Sequence, residues 1–469
     1  MKAVGNKITF ALYFGNRGFF PGEVIASARE EMKKAVSDAG FGYICMDEEK
    51  TRYGAVETIA EGEKYAQFLE ENRGSFDGVI LCLPNFGDEN GASVALKNAN
   101  VPVLVQAYPD KIGEMDFAHR RDAMCGKFAM CNLLRQAGIP YTLTEKFVVE
   151  PLSDSFKNDL VNFAGVCRIV KGMKHFNLGA IGARTTAFKT VRVDEIAFQK
   201  KGINIETIDL SDIFARVAKV PQARIDEKKV QILNITEFSG YPEEKLYTMA
   251  KVQAVFEDIV SEYNLQAVAV RCWNEFETVL GIAPCTSLCL LNELGISAAC
   301  EVDITNAVMM RALSLASDSP CMLLDYNNNY GESDDKAIMF HCGPIPPSML
   351  EGKGKIIEHL MFKKTFGEGT GVGVNKGKIK SGDITFGSIK TENGRICGFV
   401  SQGKFTDDKI EEEFFGSGKV VKKDNINNVS NYMAENGYKH HLAITYGSCA
   451  KAINEAFGKY LDFDIDVLK

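Results

Sequence analysis

Residues Ile8-Thr9-Phe10-Ala11-Leu12-Tyr13-Phe14 read as a strand, and Gly15-Asn16-Arg17-Gly18-Phe19-Phe20-Pro21 breaks it before a helical pattern over 22–39. The same alternation continues outward from this stretch. Strands are expected at 42–46, 78–83 and 101–107, with helices at 56–71 and 92–98. Strand alternating with helix at such spacing predicts a flavodoxin-like parallel α/β layer, taken as a first domain over 1–163. In open sheets of this kind ligands sit beyond the carboxyl ends of the strands. The loops to watch are therefore 15–20, 84–88 and 106–109.

A second alternating block begins near Asn177-Leu178-Gly179-Ala180-Ile181-Gly182 and defines a second α/β domain over 164–316. It carries a long helix at 243–262, a strand at 267–271, a helix from about Pro284 and a short strand ending at Glu301. Beyond 317 the helical period gives way to short β-rich runs split by Gly, Asn and Asp, as at 384–389 and 396–401. An antiparallel sheet or barrel is expected over 317–469. One last helix near 429–436 precedes a strand at His440-His441. The expected fold class is thus α/β, with two flavodoxin-like parallel domains followed by a β-rich, barrel-like C-terminal domain.

Bulk properties narrow the function classes. A chain of 469 residues exceeds one ordinary core, so roughly two to four domains are expected. A net charge of −8 with scattered basic residues argues against a nucleic-acid partner. No apolar run approaches the roughly 20 residues of a membrane-spanning helix, and the N-terminus lacks the apolar core of a signal peptide. The thirteen cysteines sit in apolar runs such as Ile80-Leu81-Cys82-Leu83 and read as reduced thiols of a cytoplasmic protein. Cys285 and Cys289, at helical spacing, read as core.

Four short segments carry chemistry: Cys300-Glu301-Val302-Asp303, Leu323-Leu324-Asp325-Tyr326, Phe340-His341-Cys342-Gly343 and Lys439-His440-His441-Leu442. Each chemical side chain ends or follows a strand-like run, a rigid place from which ligands can converge. Two carboxylates with imidazole form a mostly hard donor set suited to Mn²⁺ or a similar divalent ion such as Mg²⁺ or Co²⁺. Each residue also has a plainer reading. Glu301 could cap the helix starting near Asp303, Asp325 could open the turn at Asn327-Asn328-Asn329-Tyr330-Gly331, and His341 could be structural. Of the His440-His441 pair, only one side chain of a strand can face a given site. Arg271-Cys272-Trp273-Asn274-Glu275 holds the single tryptophan at another strand end. The glycine-rich 367–373 stretch lacks a strand–loop–helix context for phosphate and reads as a hairpin.

Taken in order, Arg271-Cys272-Trp273-Asn274-Glu275, Pro284-Cys285, Leu291-Asn292-Glu293-Leu294-Gly295-Ile296, Cys300-Glu301-Val302-Asp303, Leu324-Asp325, His341-Cys342-Gly343 and His440-His441 resemble the L-fucose and L-arabinose isomerase superfamily. The loop Gly15-Asn16-Arg17-Gly18-Phe19-Phe20-Pro21 matches its fucose-isomerase-like branch. The resemblance implies a metal-dependent aldose–ketose isomerase in which Glu301 and Asp325 bind Mn²⁺ and exchange protons with a monosaccharide. His441 and His341 are implied as further ligands, and Arg17, Gln106, Trp273, Glu275 and His440 as sugar contacts. It also implies a closed homo-oligomer, a hexamer, with the Arg17 loop reaching the sugar of a neighbouring subunit. Trp273-Asn274-Glu275 departs from the commoner Trp-Pro-Glu, which leaves the sugar open.

Moving a carbonyl from C1 to C2 requires removal of a weakly acidic C–H proton and its return to the adjacent carbon. A cation polarising the sugar oxygens would stabilise a cis-enediolate, and two carboxylates could serve as base and acid. The main expectation is an L-fucose-, D-arabinose- or L-arabinose-like substrate. The alternative is a 6-substituted anionic hexose such as sulfoquinovose, with Arg17 on the anion. A sugar-binding protein on the same scaffold is the non-enzymatic rival. A zinc hydrolase is disfavoured by carboxylate-rich ligation without HExxH.

Overall fold

The computed structural model describes residues 7–410 and 416–469. The described chain divides into two compact units, one running to Lys171 and regaining Glu455–Asp462, the other comprising Gly172–Asn454 and Phe463–Lys469.

In the first unit, β1 (Thr9–Phe14), β2 (Gly42–Cys45), β3 (Gly78–Leu83), β4 (Val103–Ala107) and β5 (Thr142–Leu143) form a parallel sheet in the order β2-β1-β3-β4-β5. This is the flavodoxin-type order. Every residue of β3 and β4 is buried, as expected of strands covered on both faces. Tyr13, Val79, Leu81, Val103 and Val105 pack under one set of helices. Phe10 belongs to the other face, 5.4 Å centroid to centroid from Phe163 of helix Asp154–Met173. That helix approaches so closely that a Cβ on Gly78 would lie 2.7 Å from the Cys167 sulfur. Helix Ile59–Glu71 starts at a capping box, Thr58 accepting from the Glu61 amide and Glu61 from the Thr58 amide.

In the second unit, β6 (Phe176–Ile181), β7 (Ile203–Ile208), β9 (Ala267–Val270) and β10 (Ser297–Cys300) make a parallel sheet ordered β10-β9-β6-β7, while β8 (Thr236–Glu237) joins a small sheet elsewhere. Next come β11 (Met322–Asn329) and β12 (Lys336–His341). Two further strands, β13 (Gly354–Glu358) and β14 (Val372–Lys376), complete the small sheet with β8. β15 (Gly382–Glu392), β16 (Arg395–Phe405), β17 (Ser417–Lys422) and β18 (His441–Tyr446) follow, and β19 (Asp464–Leu468) ends the chain. Among the described residues β15, β18, β11, β12, β17 and β16 pair in that order, and β15 pairs back to β16. The ring closes into a barrel, to which β19 adds in parallel along β16.

Helix Ile304–Ser317 joins the parallel sheet to the barrel. Its exposed sequence face is nearly absent: Ile304, Thr305, Asn306, Val308, Met309 and Leu313 are all buried. A helix buried on nearly every side belongs in an interior, and its Thr305 and Asn306 are hydrogen-bonded there. It packs on β9 and β10 on one side and on β15 and β18 on the other. The segments expected as second and third domains therefore share one compact unit. Two local expectations are corrected. Asp325 does not open a turn, since β11 runs on to Asn329 through a register shift between Tyr326 and Asn328. The 367–373 stretch is no hairpin but links helix Leu360–Phe366 to β14.

Candidate active site

Within the second unit, the carboxyl edge of the β10-β9-β6-β7 sheet and three barrel strands supply the site. From the sheet come Glu301, directly after β10, Trp273, shortly after β9, and Phe188, in the loop after β6. From the barrel come Asp325 on β11, His341 at the end of β12 and His441 at the start of β18. Register does the alignment: Asp325 lies opposite both His441 and Phe340. A cavity of about 200 Å³ is lined by Phe188, Trp273, Glu301, Asp325, His341 and His440, among others.

The polar atoms converge without bonding one another in the usual way. His441 Nε2 lies 3.0 Å from Glu301 Oε2 and 3.4 Å from Asp325 Oδ1. His341 Nε2 lies 3.8 Å from the same Glu301 oxygen. Yet Glu301 Oε2, Asp325 Oδ1 and His341 Nε2 are buried atoms with no hydrogen-bond partner among the described residues. Buried polar atoms left this way are costly unless something else satisfies them. Oxygen and imidazole donors within reach of a common point fit a divalent cation.

Electrostatics agree with a site organised around negative charge. Burial would raise the Glu301 carboxyl, but His341 and His441 outweigh it and hold Glu301 well below the usual carboxylate range. Burial opposes a charged His441, but the Asp303 and Glu301 carboxylates push it up to about 10. The backbone is strained here as well: Glu301 and Val302 both have φ of +59°. Two successive non-glycine residues in the left-handed region, one of them β-branched, cost of order 1–3 kcal/mol each and need surrounding structure to hold them. Glu301 is not the cap of the following helix. Asp303 is, accepting from the Asn306 amide at 3.0 Å, which leaves the Glu301 carboxylate for the cavity.

The remaining expected residues divide. His440 precedes β18 rather than lying on it, so both histidines reach Asp325, His440 Nε2 at 3.8 Å from Oδ1. Both histidines approach Asp325, but of the two only His440 lines the cavity. Trp273 borders the cavity, its ring 6.0 Å from Phe188. Glu275 is engaged in a two-pronged pair with Arg271, at 2.6 and 2.7 Å. Arg17 and Gln106 belong to the first unit. Arg17 pairs with Glu89 and lies over the Phe86 ring. Gln106 is fully buried and donates to the Val149 carbonyl, so in this unit it ties backbone together rather than presenting an amide to a sugar.

The sequence reading missed Phe188, which a search of the carboxyl-end loops of the second sheet would have found. It also missed the buried Asp303–Lys439 pair behind His441, for which no local signal exists.

The architecture and this constellation define a sugar isomerase of the aldose–ketose class. A family model for the N-terminal domain of fucose/sulfoquinovose isomerases matches residues 11–174, and one for the C-terminal domain of L-fucose isomerase matches 339–469. The chain belongs to the fucose-isomerase-like family. Curated relatives include a sulfoquinovose isomerase of Alkalicoccus urumqiensis, 24% identical over 421 residues, covering 85% of this chain and 88% of that one. A sulfoquinovose isomerase of Priestia aryabhattai is 22% identical over 419 residues, covering 87% and 90%. One from Clostridium sp. (strain MSTE9) is 20% identical over 344 residues, covering 70% and 72%.

Proposed function

We propose that this enzyme interconverts sulfoquinovose and its 2-ketose, with Glu301 and Asp325 exchanging protons with the sugar and Glu301, Asp325 and His441 holding Mn²⁺. The observation that carries the chemistry is the convergence on His441 Nε2 of unsatisfied oxygens from Glu301 and Asp325, two carboxylates that line one cavity. The relatives' names favour the anionic hexose over the L-fucose-like sugar of the main expectation.

A divalent cation bound there would supply Lewis-acid stabilisation of the negative charge that develops on O1 and O2. The protein's own groups do the rest. One carboxylate takes the C2 proton of the open-chain aldose, and the pair returns a proton at C1. His341 accepts the Gly343 amide at Nδ1, at 3.2 Å, so its ring carries the proton on Nε2, which lines the cavity 3.8 Å from Glu301 Oε2 as a donor for the sugar rather than as the fourth ligand. Phe188 and Trp273 give the cavity an aromatic wall that excludes water from the enediolate. Arg17 is the candidate contact for the sulfonate, contributed by a neighbouring subunit of a closed homo-oligomer, a hexamer. All thirteen cysteines are free thiols, which supports a cytoplasmic setting. No helix among the described residues is long and apolar enough to cross a membrane.

The test is turnover of sulfoquinovose, L-fucose and D-arabinose by chelator-stripped protein, with and without Mn²⁺, with deuterium uptake at C2 in D₂O. Mn²⁺-dependent ketose formation fastest on sulfoquinovose is expected. Faster turnover of L-fucose or D-arabinose would overturn the substrate, and full activity without metal would overturn the role of the ion.

A further inference from the structure

Behind His441 lies a third carboxylate, one that the proton-transfer reading does not use. Asp303 is wholly buried, and every partner it has is fixed. Its Oδ1 accepts from the Asn306 amide at 3.0 Å, from the Thr305 hydroxyl at 3.0 Å and from Lys439 Nζ at 3.1 Å. Its Oδ2 accepts from Asn306 Nδ2 at 2.9 Å and faces His441 Nδ1 at 2.9 Å. Lys439 is equally buried, donating also to the Thr305 hydroxyl and to the Ile389 carbonyl at 2.8 Å. Asn306 completes the frame by donating to the His441 carbonyl at 3.0 Å and accepting from Ser388 at 3.0 Å.

From this we infer that Asp303 is a positioning residue: it takes the Nδ1 proton of His441 as a hydrogen bond and thereby aims the Nε2 lone pair at the point shared with Glu301 and Asp325. The inference rests on the metal-site reading proposed above. An imidazole bonded through Nδ1–H to a carboxylate has its tautomer and ring plane set, and is the more basic for it. Lys439 balances the Asp303 charge, which a lone carboxylate could not carry at this depth. The network spans the helix cap, the barrel strand β15 and the approach to β18, so it also fixes where His441 stands relative to Glu301.

Asp303→Asn separates the roles. Asparagine caps a helix as well as aspartate does, but it offers a neutral oxygen to His441 and strands the Lys439 charge. Combining Asp303→Asn with Lys439→Met restores neutrality, so this pair carries the test should the single variant fail to fold. Mn²⁺ binding measured by calorimetry, beside thermal unfolding of the same samples, is the readout. Both variants should bind Mn²⁺ about 10- to 100-fold more weakly than the wild type, with the double variant unfolding close to the wild-type temperature. Binding within threefold of wild type in either folded variant would overturn the inference. So would recovery of full affinity in the double variant, which would mark Asp303 as a charge-balancing residue only. Failure of the wild type itself to bind Mn²⁺ would instead sink the metal-site reading.

Discussion

Glu277→Gln should stabilise the protein at alkaline pH and do little at acid pH. Glu277 lies in the turn Phe276–Leu280 that follows the Trp273 loop, is 1% exposed, and neither carboxyl oxygen has a side-chain hydrogen-bond partner among the described residues. Burial is the main cause that raises its pKa from 4.5 to about 8, partly offset by its own backbone amide and reinforced by Glu275. A folded-state pKa above the unfolded one means the folded chain holds the proton longer. Its stabilising effect is complete below about pH 4.5 and is lost as pH rises toward 8. Between pH 5 and 8 the unfolded carboxyl ionises fully while the folded one reaches only half ionisation. At ~1.4 kcal/mol per pH unit, this differential amounts to roughly 3 kcal/mol. Glutamine has nearly the same shape and does not titrate, so the variant escapes the penalty. Denaturant unfolding of both proteins at pH 5 and pH 8 reads the difference between them, cancelling every other titrating group. The variant should gain on the wild type by roughly 3 kcal/mol over that range. A gap that stays constant from pH 5 to 8 would refute the reasoning, since Glu277 would then be ionised or solvated in the folded state.

Three further outcomes are expected. Glu301→Gln and Asp325→Asn should each lower kcat by roughly 100- to 10,000-fold at saturating Mn²⁺; near-normal turnover in both, with metal bound, would remove them from the proton relay. His341→Gln should leave Mn²⁺ affinity within about threefold while lowering kcat roughly 100-fold, because a donor is lost and not a ligand; a large loss of affinity in calorimetry would make His341 a ligand after all. Gly373→Ala should cost about 1–3 kcal/mol, since Gly373 has φ of +139° and a Cβ there would lie 2.1 Å from the Ala283 carbonyl oxygen; an unchanged thermal midpoint would show that the β14 strand can shift at no cost.

The parallel layers were legible because strand and helix declare themselves locally, through apolar runs, helical period and turn residues. The first sheet emerged with its expected strands at 9–14, 42–45, 78–83 and 103–107, and the C-terminal third as a closed barrel. Glu301, Asp325, His341 and His441 were visible as acids and imidazoles at strand ends, and their order in the chain resembled one family. What no local pattern carries is convergence. The direct opposition of Asp325 and His441 depends on the antiparallel register of β11 and β18, more than a hundred residues apart in the chain. The left-handed backbone at Glu301 and Val302 depends on the helix cap that follows and the sheet beneath. The resemblance implies Gln106 as a sugar contact, and no local pattern shows that within its own unit the side chain donates to the Val149 carbonyl. Asp303 and Lys439, charged residues in a sequence, became an interior pair only when Ile304–Ser317 was buried against the barrel. Composition and periodicity are short-range properties, and they determined the layers. Long-range pairing and burial set which polar groups lose water together, and that decided the site.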